Sequence, residues 1–376
     1  MNIAIDIRSL MDPVRTGVGE YTYEFLNELF KIDKQNKYYL FYNSLSDVSA
    51  NIPKWQQDNV EIINFKYPNK LFNFSLQFFK YPKLDKMMPE KIDYFFSPNI
   101  NFSAFSSKVK QILTIHDLSF EYFEDCFYTK QKLWHKIINP KKLCQNASII
   151  LTPSENTKND IIETYKVKKN KINVIYPGLS SIFLQETKIS EESIKLKYNL
   201  PENFILFLGT VEPRKNIIGL IKAFEKTGLK NKDYELIVAG SMGSKNTEVK
   251  KMMENTANVR YIGYIDSADK PMLYKLAKVF AYPSLYEGFG FPVLEAMAVG
   301  TPVLTSNRSS LTEVVGNSGY LVNPTNIYEI TEGILKLVED KELGDYFSNK
   351  AIERSKRFRW RNTAENFLQL LNINYE

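Results

Sequence analysis

The chain has 376 residues, more than a single core usually serves, and its 44% apolar and 24% charged residues are those of an ordinary globular protein, here of two domains. A net charge of +6 suits anionic substrates or an acidic membrane surface without requiring nucleic acid, so no nucleic-acid partner is expected. Two cysteines, Cys126 and Cys144, with no Cys-x-x-Cys pair give no support to a disulfide framework or a zinc site and fit a reducing compartment, and two histidines, His116 and His135, are too few for a His-rich metal centre. The start of the chain lacks the basic region and apolar core of a signal peptide, and no apolar run approaches the ~20 residues that cross a bilayer. The expectation is a cytoplasmic protein.

Residues 2–8 read as a first strand. A loop follows, ending Arg15-Thr16-Gly17-Val18-Gly19, and then a periodic helix from 20 to about 32. Strand, glycine loop and helix form a phosphate-binding arrangement. The dinucleotide fingerprint fails, because Thr22 stands where its third glycine belongs and the loop is too long. An NAD-dependent enzyme is therefore set aside. Residues 37–43 and 60–65 read as strands, and between Tyr67 and Lys91 the chain turns aromatic and basic. Phe72, Leu76 and Phe79 fall at helical spacing, as do Leu71, Phe74 and Phe78. So apolar a helix defaults to the core. A partly exposed stripe near Lys70, Lys80, Lys83 and Lys86 would instead meet a membrane interface or a lipid-linked acceptor.

Residues 93–96 and 110–115 are further strands, and the second runs into His116-Asp117-Leu118. Polar residues at the carboxyl end of a buried parallel strand point into the ligand crevice of an open α/β sheet. A strand over 147–152, a helix over 156–165 and a strand over 171–176 complete this half, and Pro177-Gly178 marks an exit. The polar stretch 180–197 holds the linker. The strand–helix alternation then restarts, as two similar α/β halves require. After the strand 204–209, Arg214 and Lys215 lie in the turn, a bidentate fork beside a mobile point charge, together able to neutralise a diphosphate. Strands follow at 235–240, 259–264, 279–283, 303–305 and 320–322, and an amphipathic helix over 359–371 closes the chain.

The segment after the strand 279–283 carries the most information. Ser284-Leu285-Tyr286-Glu287-Gly288-Phe289-Gly290 is a turn whose two glycines let a ligand approach the backbone, and Pro292 opens a helix. N–H groups at Phe291, Val293 and Leu294 face out from that helix start, a site for phosphate or sugar oxygens. Glu287 and Glu295 frame it. A turn that accepts an anion between two acids suits a ligand with both phosphate and hydroxyls, as in a nucleotide sugar.

Glu287-x7-Glu295 with the Gly-Phe-Gly turn inside it, followed by Ala296-Met297-Ala298 and Gly300-Thr301-Pro302-Val303, resembles the donor-site signature of retaining glycosyltransferases of family 4. Gly209-Thr210-x-Glu212-Pro213-Arg214-Lys215-Asn216 looks like the bacterial polysaccharide mannosyltransferases of that family, and Thr114-x-His116-Asp117 like its Thr-x-His-Asp. The resemblance implies an α/β fold of the GT-B type, two Rossmann-like domains facing each other across a cleft. The expected parts are an acceptor-side domain over 1–182, a nucleotide-sugar domain over 183–358, and a helix over 359–376 that crosses back to the first. It implies that Gly17 gives the diphosphate a backbone contact and that His116 touches the transferred sugar, with Asp117 behind it. Arg214 and Lys215 would stabilise the leaving diphosphate, all the more because Thr210 replaces an arginine found in many relatives. Glu295 would bind the ribose, and Glu287 with the backbone of Gly288, Phe289 and Gly290 the donor sugar. The nucleobase would lie near Tyr264.

The reaction so implied moves a hexose, mannose from GDP-mannose by resemblance, to a hydroxyl of a growing, lipid-linked surface polysaccharide such as O-antigen lipopolysaccharide. It proceeds with retention and without cofactor or metal, since no Asp-x-Asp follows a strand. Its place would be the cytoplasm, or the inner face of the membrane as a peripheral protein. A UDP- or dTDP-sugar donor, a GT-B sugar-nucleotide epimerase and a non-catalytic nucleotide-binding member are the alternatives.

Overall fold

The computed structural model describes residues 1–15, 17–185 and 189–375. Thr16 of the glycine loop and part of the expected linker, 186–188, lie outside the described residues. Thirteen strands among them form two fully parallel sheets. The first contains β1 (Asn2–Asp6), β2 (Lys37–Tyr42), β3 (Val60–Asn64), β4 (Tyr94–Ser97), β5 (Lys110–Thr114), β6 (Ile149–Thr152) and β7 (Ile172–Val174), in the order β3-β2-β1-β4-β5-β6-β7. The second contains β8 (Asn203–Leu208), β9 (Tyr234–Ala239), β10 (Val259–Gly263), β11 (Val279–Tyr282), β12 (Val303–Ser306) and β13 (Tyr320–Val322), in the order β10-β9-β8-β11-β12-β13. Every strand expected from the sequence is present within a residue or two. Their legibility has a cause: a parallel strand covered by helices on both faces becomes an unbroken apolar run, as in Phe204-Ile205-Leu206-Phe207-Leu208 of β8, all buried.

Both sheets reverse their strand order once, between β1 and β4 and between β8 and β11. In doubly wound sheets the ligand crevice opens outside the carboxyl ends of the strands at such a reversal. The loops leaving β1, β4, β8 and β11 are therefore the places to look for chemistry.

The chain divides into two compact units. The first comprises Met1–Leu118, Lys130–Gly178 and Arg359–Glu376; the second comprises Ser119–Thr129 and Leu179–Phe358. The short excursion Ser119–Thr129 was not foreseen in a division at 182. It belongs with the second unit because its aromatic residues pack there: the rings of Tyr122 and Phe123 lie 5.8 and 5.6 Å from that of Tyr286.

In the first unit the helix Gly17–Ile32 begins three residues earlier than its periodicity indicates. Its first turn is seated rather than free. A Cβ on Gly19 would stand 3.1 Å from the Ser9 carbonyl oxygen, and Thr22 Oγ1 donates to the Val18 carbonyl at 2.8 Å. The closing helix Trp360–Tyr375 presents Trp360, Ala364, Phe367 and Leu371, all buried, at alternating spacings of four and three. Phe367 meets Phe25 and Phe96 at ring distances of 5.2 and 5.1 Å. At Gly178 the backbone of that helix comes so close that a Cβ would lie 2.0 Å from the Trp360 nitrogen, so a side chain cannot be accommodated.

The aromatic segment resolves into a helix Asn69–Phe74 continued by a π-helical turn Ser75–Phe79. Its expected burial holds for one face only. Phe72 and Leu76 are in the core, whereas Leu71, Phe74, Phe78 and Phe79 are exposed.

Because Phe367 is fully buried between two further rings, Phe367→Ala should cost about 3–5 kcal/mol of first-unit stability. A denaturant titration followed through Trp55 and Trp134 fluorescence would measure it.

Candidate active site

In the second unit the site grows from the turns after β8 and β11. The first turn is a 3-10 helix, Pro213–Lys215, closed by Asn216 in the left-handed region (φ 57°). Asn216 Nδ2 donates to the carbonyls of Pro283 and Pro324 at 3.2 and 2.6 Å, tying this turn to the end of β11. Leu285 N donates to the Arg214 carbonyl at 2.9 Å, a second tie between the same two loops. Lys215 and Glu287, 72 residues apart in sequence, thereby meet at the reversal. Lys215 Nζ lies 2.6 and 2.8 Å from the two Glu287 carboxylate oxygens.

Arg214 completes the cluster. Its Nη1 donates to Glu287 Oε2 at 3.2 Å and to the Tyr286 carbonyl at 2.6 Å, while Nη2 holds Glu212 Oε1 at 2.7 Å. Two cations thus face two carboxylates, and Lys215 and Glu287 are each 7% exposed. Burial alone would raise the Glu287 carboxyl. The Lys215 and Arg214 charges, with hydrogen bonds from Lys215 and Ser284, outweigh it and hold the pKa at about 2. Lys215 is pushed below the usual lysine value by burial and by the Arg214 charge, against the pull of Glu287. The sequence reading gave the cations to a diphosphate and Glu287 to a sugar as separate tasks. In the structure all three groups belong to one ion-paired assembly.

The loop bearing Glu287 is fixed by hydroxyls, since a buried loop must satisfy its backbone polar groups. Glu287 N donates to Ser309 Oγ at 3.1 Å, and Ser310 Oγ lies 2.9 and 2.8 Å from the Glu287 and Phe289 carbonyl oxygens. Gly290 takes φ 111°, and a Cβ there would stand 2.7 Å from Leu311 Cδ2, so both backbone and space demand glycine. The helix Phe291–Ala298 follows, with Pro292 in its first turn. The donors assigned to its start are partly engaged already. Val293 N and Leu294 N both reach the Gly290 carbonyl, at 3.1 and 3.2 Å. The Phe289 ring is buried against Phe291 and Phe358, so the side chain is taken up in packing.

Glu295 is half-buried on that helix and accepts from Tyr274 Oη at 2.8 Å. Burial and the Glu295 charge push the Tyr274 phenol well up, so it stays a donor. Tyr264, just after β10, is 54% exposed, and the Tyr261 hydroxyl within that strand donates to the Gly240 carbonyl at 2.7 Å.

In the first unit, half-buried His116 sits where β5 ends. Its Nε2 lies 2.8 Å from the Pro98 carbonyl oxygen, a pairing that makes Nε2 the protonated nitrogen and Nδ1 the acceptor. Its ring meets Tyr21 edge-on at 4.7 Å, and Tyr21 in turn meets Trp360 at 5.4 Å. Burial lowers the imidazole pKa, against the Pro98 hydrogen bond and the Asp117 charge, so His116 is neutral near pH 7. Gly17 begins its helix with open space where a Cβ would be, in keeping with a backbone approached from outside.

Sequence reasoning overlooked a second buried ion pair at the reversal of the first sheet. Arg8 Nη2 lies 2.6 Å from Asp6 Oδ2 and also donates to the Phe102 carbonyl at 2.9 Å. The signal was there: two opposite charges close an otherwise apolar strand. It also overlooked Tyr274 and the serines around Glu287. Among the described residues, no three His, Cys, Asp or Glu side chains group as a metal site.

The Glu287 carboxyl titrates lower in the folded protein than the usual ~4.3 of the unfolded chain, so its pairing stabilises fully above that pH and is lost as the pH falls toward 2. The stability gap between the native protein and Glu287→Gln should therefore be widest above pH 5 and shrink toward pH 2 in urea titrations run across that range. Lys215→Met, which strands a buried carboxylate on Arg214 alone, should cost about 3–5 kcal/mol at pH 7 in the same assay.

Known proteins match both halves. The model of glycosyltransferase family 4 covers residues 15–181, and that of glycosyl transferases group 1 covers residues 188–354. O-antigen chain mannosyltransferase B of Escherichia coli is 31% identical over 258 residues, 67% of this chain and 68% of that protein. The serotype-specific mannosyltransferase WbdA of Escherichia coli is 32% identical over 244 residues, 62% of this chain but only 30% of that longer protein. Among solved structures, sucrose-phosphate synthase from Thermosynechococcus elongatus superposes with a TM-score of 0.76 at 19% identity, covering 100% and 99% of the two chains. Anabaena HepE, solved with UDP and glucose, gives 0.73 at 17% identity over 98% and 99%. At such identities these structures speak for the fold, which is GT-B. With both halves matched by family models and a mannosyltransferase 31% identical over two thirds of each chain, this chain belongs to glycosyltransferase family 4.

Proposed function

We propose that this glycosyltransferase moves mannose from GDP-mannose to a hydroxyl of a lipid-linked surface polysaccharide, retaining the anomeric configuration and using no metal. The observation that carries the reading is the buried Lys215–Arg214–Glu287 cluster at the strand reversal of the second sheet. The mannose choice rests on the O-antigen mannosyltransferases among the relatives. A UDP-sugar donor is the second reading, favoured by the fold likeness to HepE, which was solved with UDP-glucose.

In this scheme the bond between the anomeric carbon and the diphosphate oxygen breaks as positive charge grows on the sugar. Arg214 and Lys215 take up the departing diphosphate charge, and Glu287 lies against the sugar's hydroxyls and its growing charge. The donors are fixed beforehand by the loop hydrogen bonds, so little reorganisation accompanies bond breaking. The acceptor oxygen attacks the face that the phosphate leaves, and its proton passes to the departing phosphate oxygen. That route needs no covalent sugar–enzyme intermediate. His116, neutral and with Nδ1 as acceptor, takes a hydrogen bond from a sugar hydroxyl, and Asp117 supports it. Glu295, oriented by Tyr274, receives the ribose hydroxyls. Gly17 and the turn Gly288-Phe289-Gly290 supply backbone contacts, and Tyr264 flanks the base.

Removing the Glu295 charge should cost a charge-assisted hydrogen bond, so Glu295→Gln should raise the donor dissociation constant by about tenfold or more. Tyr274→Phe should act in the same direction more weakly. Glu287→Ala should lower turnover by about a hundredfold or more while donor binding survives in part. Calorimetric titration with GDP-mannose and UDP-glucose, beside transfer to a mannose-terminated acceptor, tests all of this. Tight binding of UDP-glucose with none of GDP-mannose would select the second reading. Unchanged turnover in both carboxylate variants would end the assignment of this site.

A further inference from the structure

The outer face of the aromatic segment in the first unit takes no part in the sugar transfer proposed above. Leu71, Phe74, Phe78, Phe79 and Tyr81 are between 52% and 71% exposed, while Phe72 and Leu76 on the opposite side fill the core. Leu71, Phe74 and Phe78 share one face by their three- and four-residue spacing, and the Phe74 ring lies 4.7 Å from Phe78 and 5.9 Å from Phe79. Single exposed apolar residues are ordinary, but a contiguous cluster of rings marks an interaction surface.

Its surroundings carry one sign of charge. Residues 66–84 contain four lysines and no acid, and residues 129–146 contain five lysines and no acid. The two segments meet where Gln77 Nε2 donates to the Ile137 carbonyl. Lys80 stands close enough to Lys142 and Lys83 that, beyond partial burial, their charges push its pKa down. Such a rim opposes a second copy of the same face, because a twofold contact would set lysine against lysine. Exposed aromatics ringed by long, flexible cations fit a surface that is apolar beneath and anionic on top.

We propose that the 71–81 face, with Lys80, Lys83 and Lys142 at its rim, seats the protein on an anionic phospholipid bilayer. The rings enter the boundary between headgroups and acyl chains, and the lysines lie against lipid phosphates. No helix among the described residues is long and apolar enough to cross a membrane, so the contact lies in the plane of the surface. The inference stands on this surface alone and survives or fails independently of the donor site.

Flotation of the full chain with vesicles of phosphatidylcholine and phosphatidylglycerol (about 70:30), against phosphatidylcholine alone, tests it at about 0.1 M salt, where surface charges still act over ~10 Å. The protein should float with the anionic vesicles, about tenfold less with the neutral ones, and weakly at high salt. With each lysine contributing roughly fivefold near such a surface, Lys80→Glu with Lys142→Glu should cut partitioning by about tenfold or more. Phe78→Ser with Phe79→Ser should do the same. All four positions are exposed, and an unchanged melting temperature for either pair certifies that pair as a test. The proposal is overturned if the native protein ignores anionic vesicles, if it floats equally with neutral ones, or if both variant pairs float like the native protein. It is equally overturned if sedimentation shows a dimer that the phenylalanine pair abolishes, or if the face binds DNA and not vesicles.

Discussion

The contact between Lys215 and Glu287 is the constraint around which the second unit is arranged. Two charges taken out of water are expensive, and the expense is offset only when geometry and additional hydrogen bonds are good. The loops supply both. Asn216 fastens one turn to the end of β11, and Ser284, Ser309 and Ser310 satisfy the backbone of the other. Arg214 adds a second cation, which leaves the carboxylate ionised and the lysine held beside it. Because these loops leave neighbouring strands at the point where the sheet changes direction, the charges sit where an α/β sheet presents ligands.

The first unit uses a different device at the corresponding place. Asp6, the last residue of β1, and Arg8 form a buried pair, and His116 is locked by Pro98 after β4 and by the edge of Tyr21. The Tyr21 ring is backed by Trp360, so the orientation of the histidine depends on a residue from the far end of the chain. A neutral imidazole with Nε2 held as the donor leaves Nδ1 as a hydrogen-bond acceptor of fixed direction.

Much of the strand framework was legible because parallel strands are unbroken apolar runs and their helices keep a clear period. Local turn chemistry was legible too: Gly290 and Pro292 announce the turn and the helix they form. What escaped depends on distance in sequence. Nothing near Glu287 foretells Lys215, since their meeting is a property of strand order. The spacing of 71, 74 and 78 matches that of 72 and 76, and only packing decides which set faces inward. The excursion Ser119–Thr129 escaped for the same reason, its partner Tyr286 lying more than 150 residues onward. Gly17 and Gly19 read as loop because glycine is a poor helix former, yet they open a helix whose first turn is held by Ser9, Arg15 and Thr22.

The excursion has a consequence for anyone exchanging parts between relatives. A chimera joined at a single point near the middle of the chain would take the second unit's Tyr122 and Phe123 from one parent and Tyr286 from the other. It would likewise separate the closing helix from the rings of Phe25 and Phe96 that receive it. A graft that respects the packing needs three cuts beyond that one, before Ser119, after Thr129 and after Phe358, so that each core inherits its own aromatic residues intact.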